Sequence, residues 1–141
     1  MGYRSDIAII VAAKTAAQAD ELMAIYALNP LVQETGGAKE WCRHDREGAV
    51  LFLFEKRGVK WYDDYDDVKA IEALMTLCET FAEERGAAAS GEEPMFPYAW
   101  RKIRIGEENG DIEELENSND NDLEGFLWDC LGVSRSIDVN I

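Results

Sequence analysis

The apolar and polar positions of this chain fall into blocks of two periods. Residues 6–12, Asp6-Ile7-Ala8-Ile9-Ile10-Val11-Ala12, form a continuous β-branched run, the pattern of a central strand covered on both faces. From Ala16 the spacing changes, and Ala19, Leu22, Met23 and Tyr26 share one helical face. Thr15 and Gln18 predict a capping box, with Thr15 accepting from a first-turn amide and Gln18 reaching back. Asn29-Pro30 is expected to stop the helix, because the residue before proline avoids the α region. Residues 33–39, with Gly36-Gly37, read as a loop. A polar strand over 40–45 and a turn at Arg46-Glu47-Gly48 follow. Residues 49–55 carry the strongest strand signal, Ala49-Val50-Leu51-Phe52-Leu53-Phe54-Glu55, and are expected in the middle of the sheet. Arg57-Gly58 marks a bulge or turn in that strand, after which Val59 and Trp61 continue.

The second half is organised around residues 61–84. Trp61-Tyr62-Asp63-Asp64-Tyr65-Asp66-Asp67 runs into a helical pattern with Val68, Ile71, Leu74, Met75, Cys78 and Phe81 on one face and Gly86 as its stop. Acids at a helix start cap free amides and meet the positive end of the dipole, which accounts for one or two of these four aspartates. Residues 87–94 read as a loop. Residues 98–105 resume as a strand, with Trp100, Lys102 and Arg104 on one face and Ile103 and Ile105 on the other. Asn109-Gly110 is a strong hairpin signal, with 112–116 as the return strand. Residues 117–122 read as a polar turn, 123–131 as a short helix or strand, and 134–141 as a last edge strand. The order is β-α-β-β-α-β plus a hairpin. It predicts an α+β fold over 1–141 as one domain: an antiparallel sheet with two helices on one face, a ferredoxin-like split β-α-β carrying an acidic β-hairpin extension.

Charge sharpens this picture. Residues 1–60 carry eight Lys/Arg and eight Asp/Glu, whereas 61–141 carry six and twenty-one, so the whole net charge of −15 lies in the second part. Residues 107–129 hold ten carboxylates and no Lys or Arg. Such a balance disfavours direct contact with nucleic acid or anionic lipid and favours basic partners or plain solubility. No apolar run approaches the ~20 residues of a membrane helix, and the N-terminus lacks the form of a secretory signal. The cysteines, Cys42, Cys78 and Cys130, are odd in number and widely spaced, as in a reducing compartment.

Other chemistry is sparse. Asp120, Asp122 and Glu124 match the opening of a calcium loop, but Leu131 stands where a bidentate Glu is needed. Cys42 and His44 share one side of a strand, with no oxyanion hole or orienting group marked. No phosphate-binding glycine loop or zinc motif is present, so no cofactor or metal and no enzymatic activity is expected. Arg101, Lys102 and Arg104 are expected to pair with acids across the hairpin rather than bind phosphate.

Three pieces resemble one another's counterparts in a known group: Met1-Gly2-Tyr3-Arg4-Ser5-Asp6, Trp61-Tyr62-x-x-Tyr65-x-Asp67-Val68, and Arg101-x-Ile103-Arg104-Ile105-Gly106-Glu107-Glu108-x-Gly110-Asp111. Together they resemble small acidic proteins of tailed bacteriophages and prophages, a group that includes inhibitors of host defence such as anti-CRISPR proteins. The resemblance implies expression in the cytoplasm of a bacterial host and carries over no functional residues.

Two functional readings follow. In the first, Asp63, Asp64, Asp66, Asp67, Glu107, Glu108, Asp111, Glu113 and Glu114 imitate a phosphate row, with Trp61 and Tyr65 as aromatic anchors. They would block the basic surface of a bacterial nucleic-acid-binding protein or complex. In the second, the acid serves solubility, and a phage accessory or assembly protein self-associates, as a homodimer for example, through a sheet edge or its apolar C-terminal segment.

Overall fold

The computed structural model describes residues 3–46, 49–86, 98–108, 110–117, 131–133 and 137–139. The architecture is α+β: a five-stranded, wholly antiparallel open sheet with its helices on one face. The strands are β1 (Ser5–Ala13), β2 (Cys42–Arg46), β3 (Ala49–Val59), β4 (Tyr98–Gly106) and β5 (Ile112–Asn117), in the spatial order β2-β3-β1-β4-β5. The unbroken apolar run of β1 is explained by its place. It lies between β3 and β4, and every residue from Ile7 to Ala13 is fully buried.

Alternation divides the core in two. Ile7, Ile9, Val11 and Ala13 pack with Val50, Phe52 and Phe54 of β3 under α1 (Ala16–Tyr26), α2 (Pro30–Thr35) and α3 (Asp66–Gly86). Ala8, Ile10 and Ala12 face the other way, with Leu51, Ala99 and Ile103. That second face is met by Ile137 and Val139 of a separate two-stranded ribbon, β6 (Leu131–Val133) and β7 (Ile137–Val139). The expected last edge strand is thus corrected. The segment pairs within the ribbon and covers a face of the sheet, because Ile137 is worth more buried on Ala8 and Ile10 than exposed at an edge.

The expected helix stop at Asn29-Pro30 is present, since α1 ends at Tyr26 and Asn29 is extended (φ −64°, ψ 123°), but the same pair also opens a further helix. There Asn29 is an N-cap, its side chain accepting from the Leu31 amide at 2.9 Å, and Pro30 opens α2. Proline suits a first helical position, where its missing N–H had no partner to lose. Gly36, at φ 73°, ends α2 in the left-handed region and leads into a 3₁₀ turn (Gly37–Glu40), so the expected 33–39 loop is mostly helical. Among the described residues the helix layer therefore holds three α-helices where two were expected.

The capping box of α1 forms by half. Thr15 accepts from the Gln18 amide at 3.2 Å, but the Gln18 side-chain oxygen is buried without a partner among the described residues. On α3, Val68, Ile71, Leu74, Met75 and Cys78 are buried as the periodicity predicts. At Arg57-Gly58 the β1–β3 register shifts between Ser5 and Ile7, and Gly58 takes φ 61°, which is the expected bulge. The expected turn residues Glu47 and Gly48, the loop at 87–94, the segment 118–130 with its calcium-type acids, and Cys130 lie outside the described residues.

Candidate functional site

One end of the sheet gathers the residues singled out by charge. Ser5 pairs with both Val59 and Gly106, so the start of β1 and the ends of β3 and β4 lie side by side. The aspartate-rich joint leaves from the end of β3, and the β4–β5 turn leaves from the end of β4. Two acidic stretches some forty residues apart in the chain thus emerge at the same end.

Tyr3 ties them together. Its N–H donates to the Tyr62 hydroxyl at 2.6 Å, and its own hydroxyl donates to Asp111 Oδ2. The Glu108 amide donates to the Tyr3 hydroxyl at 3.1 Å, and the Arg4 amide donates to Glu107 Oε1 at 2.9 Å. Arg104 grips Asp111 in a bidentate pair, Nη2 to Oδ1 at 2.9 Å and Nη1 to Oδ2 at 3.2 Å. Arg104, and then Tyr3, hold the Asp111 carboxyl below its ordinary range, while Asp111 raises the Tyr3 phenol. Gly106 is required at this junction. A Cβ there would overlap the Asp111 carboxylate and the Tyr3 hydroxyl. Gly110, at φ 82°, supplies the left-handed turn of the hairpin.

The acids differ sharply in their surroundings. Asp63, Asp64, Asp66, Asp67, Glu107 and Glu108 are exposed, and among the described residues none of them forms an ion pair. Asp67 Oδ1 accepts from the Val68 amide at 2.9 Å, and Asp66 and Asp67 stand in the first turn of α3, as dipole chemistry favours. In contrast, Asp111, Glu113 and Glu114 are engaged internally. Glu113 lies 3.0 Å from Lys102 Nζ, and Glu114 lies 3.7 Å from Arg101, which Glu116 also approaches at 3.3 Å. This is the expected cross-hairpin pairing of the basic triplet. Its consequence is that Asp111, Glu113 and Glu114 carry charge already compensated within the fold.

Lys102 is the centre of that compensation. It lies on the helix face of β4, opposite Ile9, and is 5 % exposed. Burial alone would lower its ammonium, and the bonds and charges of Glu72 and Glu113 more than reverse this, leaving it raised. Its Nζ also stands 5.9 Å from the Trp61 ring centre.

Trp61, expected as an aromatic anchor, is turned partly inward. It is half-buried, packs on the helix-side core and meets Phe54 at 5.5 Å between ring centres, because Val59 and Phe54 offer it more apolar surface than solvent does. Tyr65 is 40 % exposed and edges onto Tyr62 at 5.1 Å, so it is the aromatic of the joint that remains presentable. Tyr3, Tyr62 and Gly106, which fix the site, carry no charge or periodic signal. Their one trace in the sequence is that they stand in the three stretches on which the resemblance rests.

Elsewhere, Cys42 is exposed and His44 half-buried on β2, and among the described residues no three His, Cys, Asp or Glu side chains gather to hold a metal ion. Among the same residues, no helix is long and apolar enough to cross a membrane. A groove of ≈ 620 Å³ runs between the end of α1 and α3, lined by Ile25, Leu28, Asn29, Lys69, Glu72 and Leu77 among others. No protein-family model, curated protein or solved structure matches this chain.

Proposed function

We propose that this protein is a phage-encoded acidic binding protein that inhibits a nucleic-acid-handling defence complex in the cytoplasm of a bacterial host, in the manner of an anti-CRISPR protein. It acts without catalysis or cofactor, by setting carboxylates where the complex would hold phosphates. The observation that supports this reading is the meeting of Asp63, Asp64, Asp66 and Asp67 with Glu107 and Glu108 at one end of the sheet, all exposed and free of ion pairs among the described residues. Carboxylates held on a hydrogen-bonded scaffold present a fixed charge pattern to a basic channel and steer its approach. Tyr65 is the apolar contact of that surface. Asp111, Glu113 and Glu114 belong to it as supports, through their pairs with Arg104, Lys102 and Arg101.

The fold that carries this surface is read as a ferredoxin-like split β-α-β. What supports that reading is the order β2-β3-β1-β4 with every pair antiparallel, α1 and α2 between β1 and β2, and α3 between β3 and β4. The hairpin strand β5 extends it at one edge.

The test is affinity capture from bacterial lysate, washed at low and high salt. The expected catch is a nucleic-acid-binding complex, released by salt or by competing duplex. Replacing Asp63, Asp64, Glu107 and Glu108 together by Lys should weaken capture at least ~10-fold. Capture that survives both high salt and this charge reversal sinks the reading.

A further inference from the structure

We propose that β2 is an interface for a second copy of this chain, joined edge to edge about a two-fold axis at His44. The inference is independent of the acidic end, which lies across the sheet. β2 ends the five-stranded sheet, so one side of its backbone is unpaired by any described strand, and Cys42, Arg43, Asp45 and Arg46 are all exposed. A bare edge of this kind is a template for another strand.

The sequence of β2 makes that strand its own copy. Arg43 and Asp45 flank His44 symmetrically. An antiparallel two-fold at His44 therefore sets Arg43 opposite Asp45 of the second copy, and Asp45 opposite its Arg43. Both pairs are complementary, and cross-strand partners of opposite charge stabilise a sheet where like charges oppose it. Cys42 then stands opposite Arg46 of the second copy, and His44 opposite itself.

The side chains are placed to do this. Arg43 Nη1 lies 2.6 Å from Asp20 of α1 and its Nε 3.0 Å from Asp45, which braces the guanidinium and leaves Nη2 for another acceptor. Asp45 is 72 % exposed and, among the described residues, its side chain engages through Oδ1 alone, which leaves Oδ2 for a partner. The opposite edge lacks this property. In β5, a two-fold at Glu113, Glu114 or Leu115 would set glutamate against glutamate, a pattern that guards an edge.

Charge exchange tests the proposal by sedimentation equilibrium of the whole chain. The wild type is expected at twice 15.9 kDa at high concentration. Asp45→Arg sets Arg against Arg and Arg43→Asp sets Asp against Asp, and either should weaken the dimer about tenfold or more. The double exchange Arg43→Asp with Asp45→Arg restores complementarity and should restore the dimer. His44→Cys in a Cys42→Ser background should cross-link at the axis on mild oxidation, since residues opposed in an antiparallel pair lie within ~4.5–5.5 Å between Cα atoms. Far-ultraviolet dichroism confirms that each variant is folded. A wild-type monomer at every concentration overturns the proposal, as does a dimer that both single exchanges leave intact.

Discussion

Lys102 Nζ lies 2.7 Å from Glu72 Oε1, joining the middle of α3 to the sheet beneath it. The same ammonium reaches Glu113 of β5 at 3.0 Å, so one buried cation links helix, sheet and acidic hairpin. A buried ion held by two carboxylates repays its desolvation through geometry, and losing the cation strands its partners. Glu72 and Glu113 keep 29 % and 37 % of their side-chain exposure, and water softens that loss.

Lys102→Ala should therefore cost about 2 kcal/mol, and Lys102→Met, which keeps the packing beside Trp61, less than about 1 kcal/mol. Urea unfolding followed by tryptophan fluorescence measures both. Equal costs for the two would mean that the packing beside Trp61 is immaterial and only the lost pairing counts.

Gly106→Ala should destabilise the β4–β5 turn by about 2 kcal/mol, because the new methyl group must displace the Asp111 carboxylate or the Tyr3 hydroxyl. Gly110→Ala acts through backbone strain instead, since its surroundings are open. Amide exchange separates the two cases. Only Gly106→Ala should also release the Glu108 amide that donates to Tyr3.

Acid should loosen the same junction. Asp111 is held below the ordinary carboxylate range, by Arg104 first and Tyr3 second. A lowered folded value stabilises the native state above the unfolded value, near ~4, and this contribution vanishes as pH falls through the folded value. The Tyr3 and Glu108 resonances should shift in that acid window, and Asp111→Asn should abolish the shift. A junction unchanged from neutrality to strong acid would argue against the pair.

Tyr26 should titrate late. Burial pushes its phenol up to about 12, with Trp41 Nε1–H donating to its oxygen at 3.3 Å and the hydroxyl donating to the Ala70 carbonyl at 2.5 Å. Its contribution to stability is complete below the unfolded value, near ~10, and is lost as pH rises through about 12. Absorbance at alkaline pH should resolve a tyrosine in that range. Tyr26→Phe should remove it and cost about 1–3 kcal/mol, since the buried Trp41 N–H loses its acceptor.

Much of the fold was legible because it is written in local period. The unbroken run of β1, the alternation of β4 and the 3.6-residue stripe of α3 each state how an element is covered, and the structure covers them so. The basic triplet was legible too, since Arg101, Lys102 and Arg104 face an acidic return strand across a hairpin that Gly110 helps to form. Asn29-Pro30 was legible as the stop of α1 but not as the start of α2, because the same dipeptide both leaves one helix and enters another.

What the sequence by itself determined was which side of its own element each residue occupies, and where the charge lies. Only tertiary structure decided which distant element covers that side. Trp61, polar in its surroundings along the chain, turns inward because Phe54 and Val59 lie beneath it. Lys102 is buried because α3 brings Glu72 above it, and β7 covers a face rather than extending an edge because β1 leaves Ala8 and Ile10 bare there. The acidic joint and the hairpin tip meet because Ser5 pairs with Val59 on one side and Gly106 on the other. Periodicity records orientation along a single element, whereas packing is settled by surfaces from elements far apart in the chain competing to leave water.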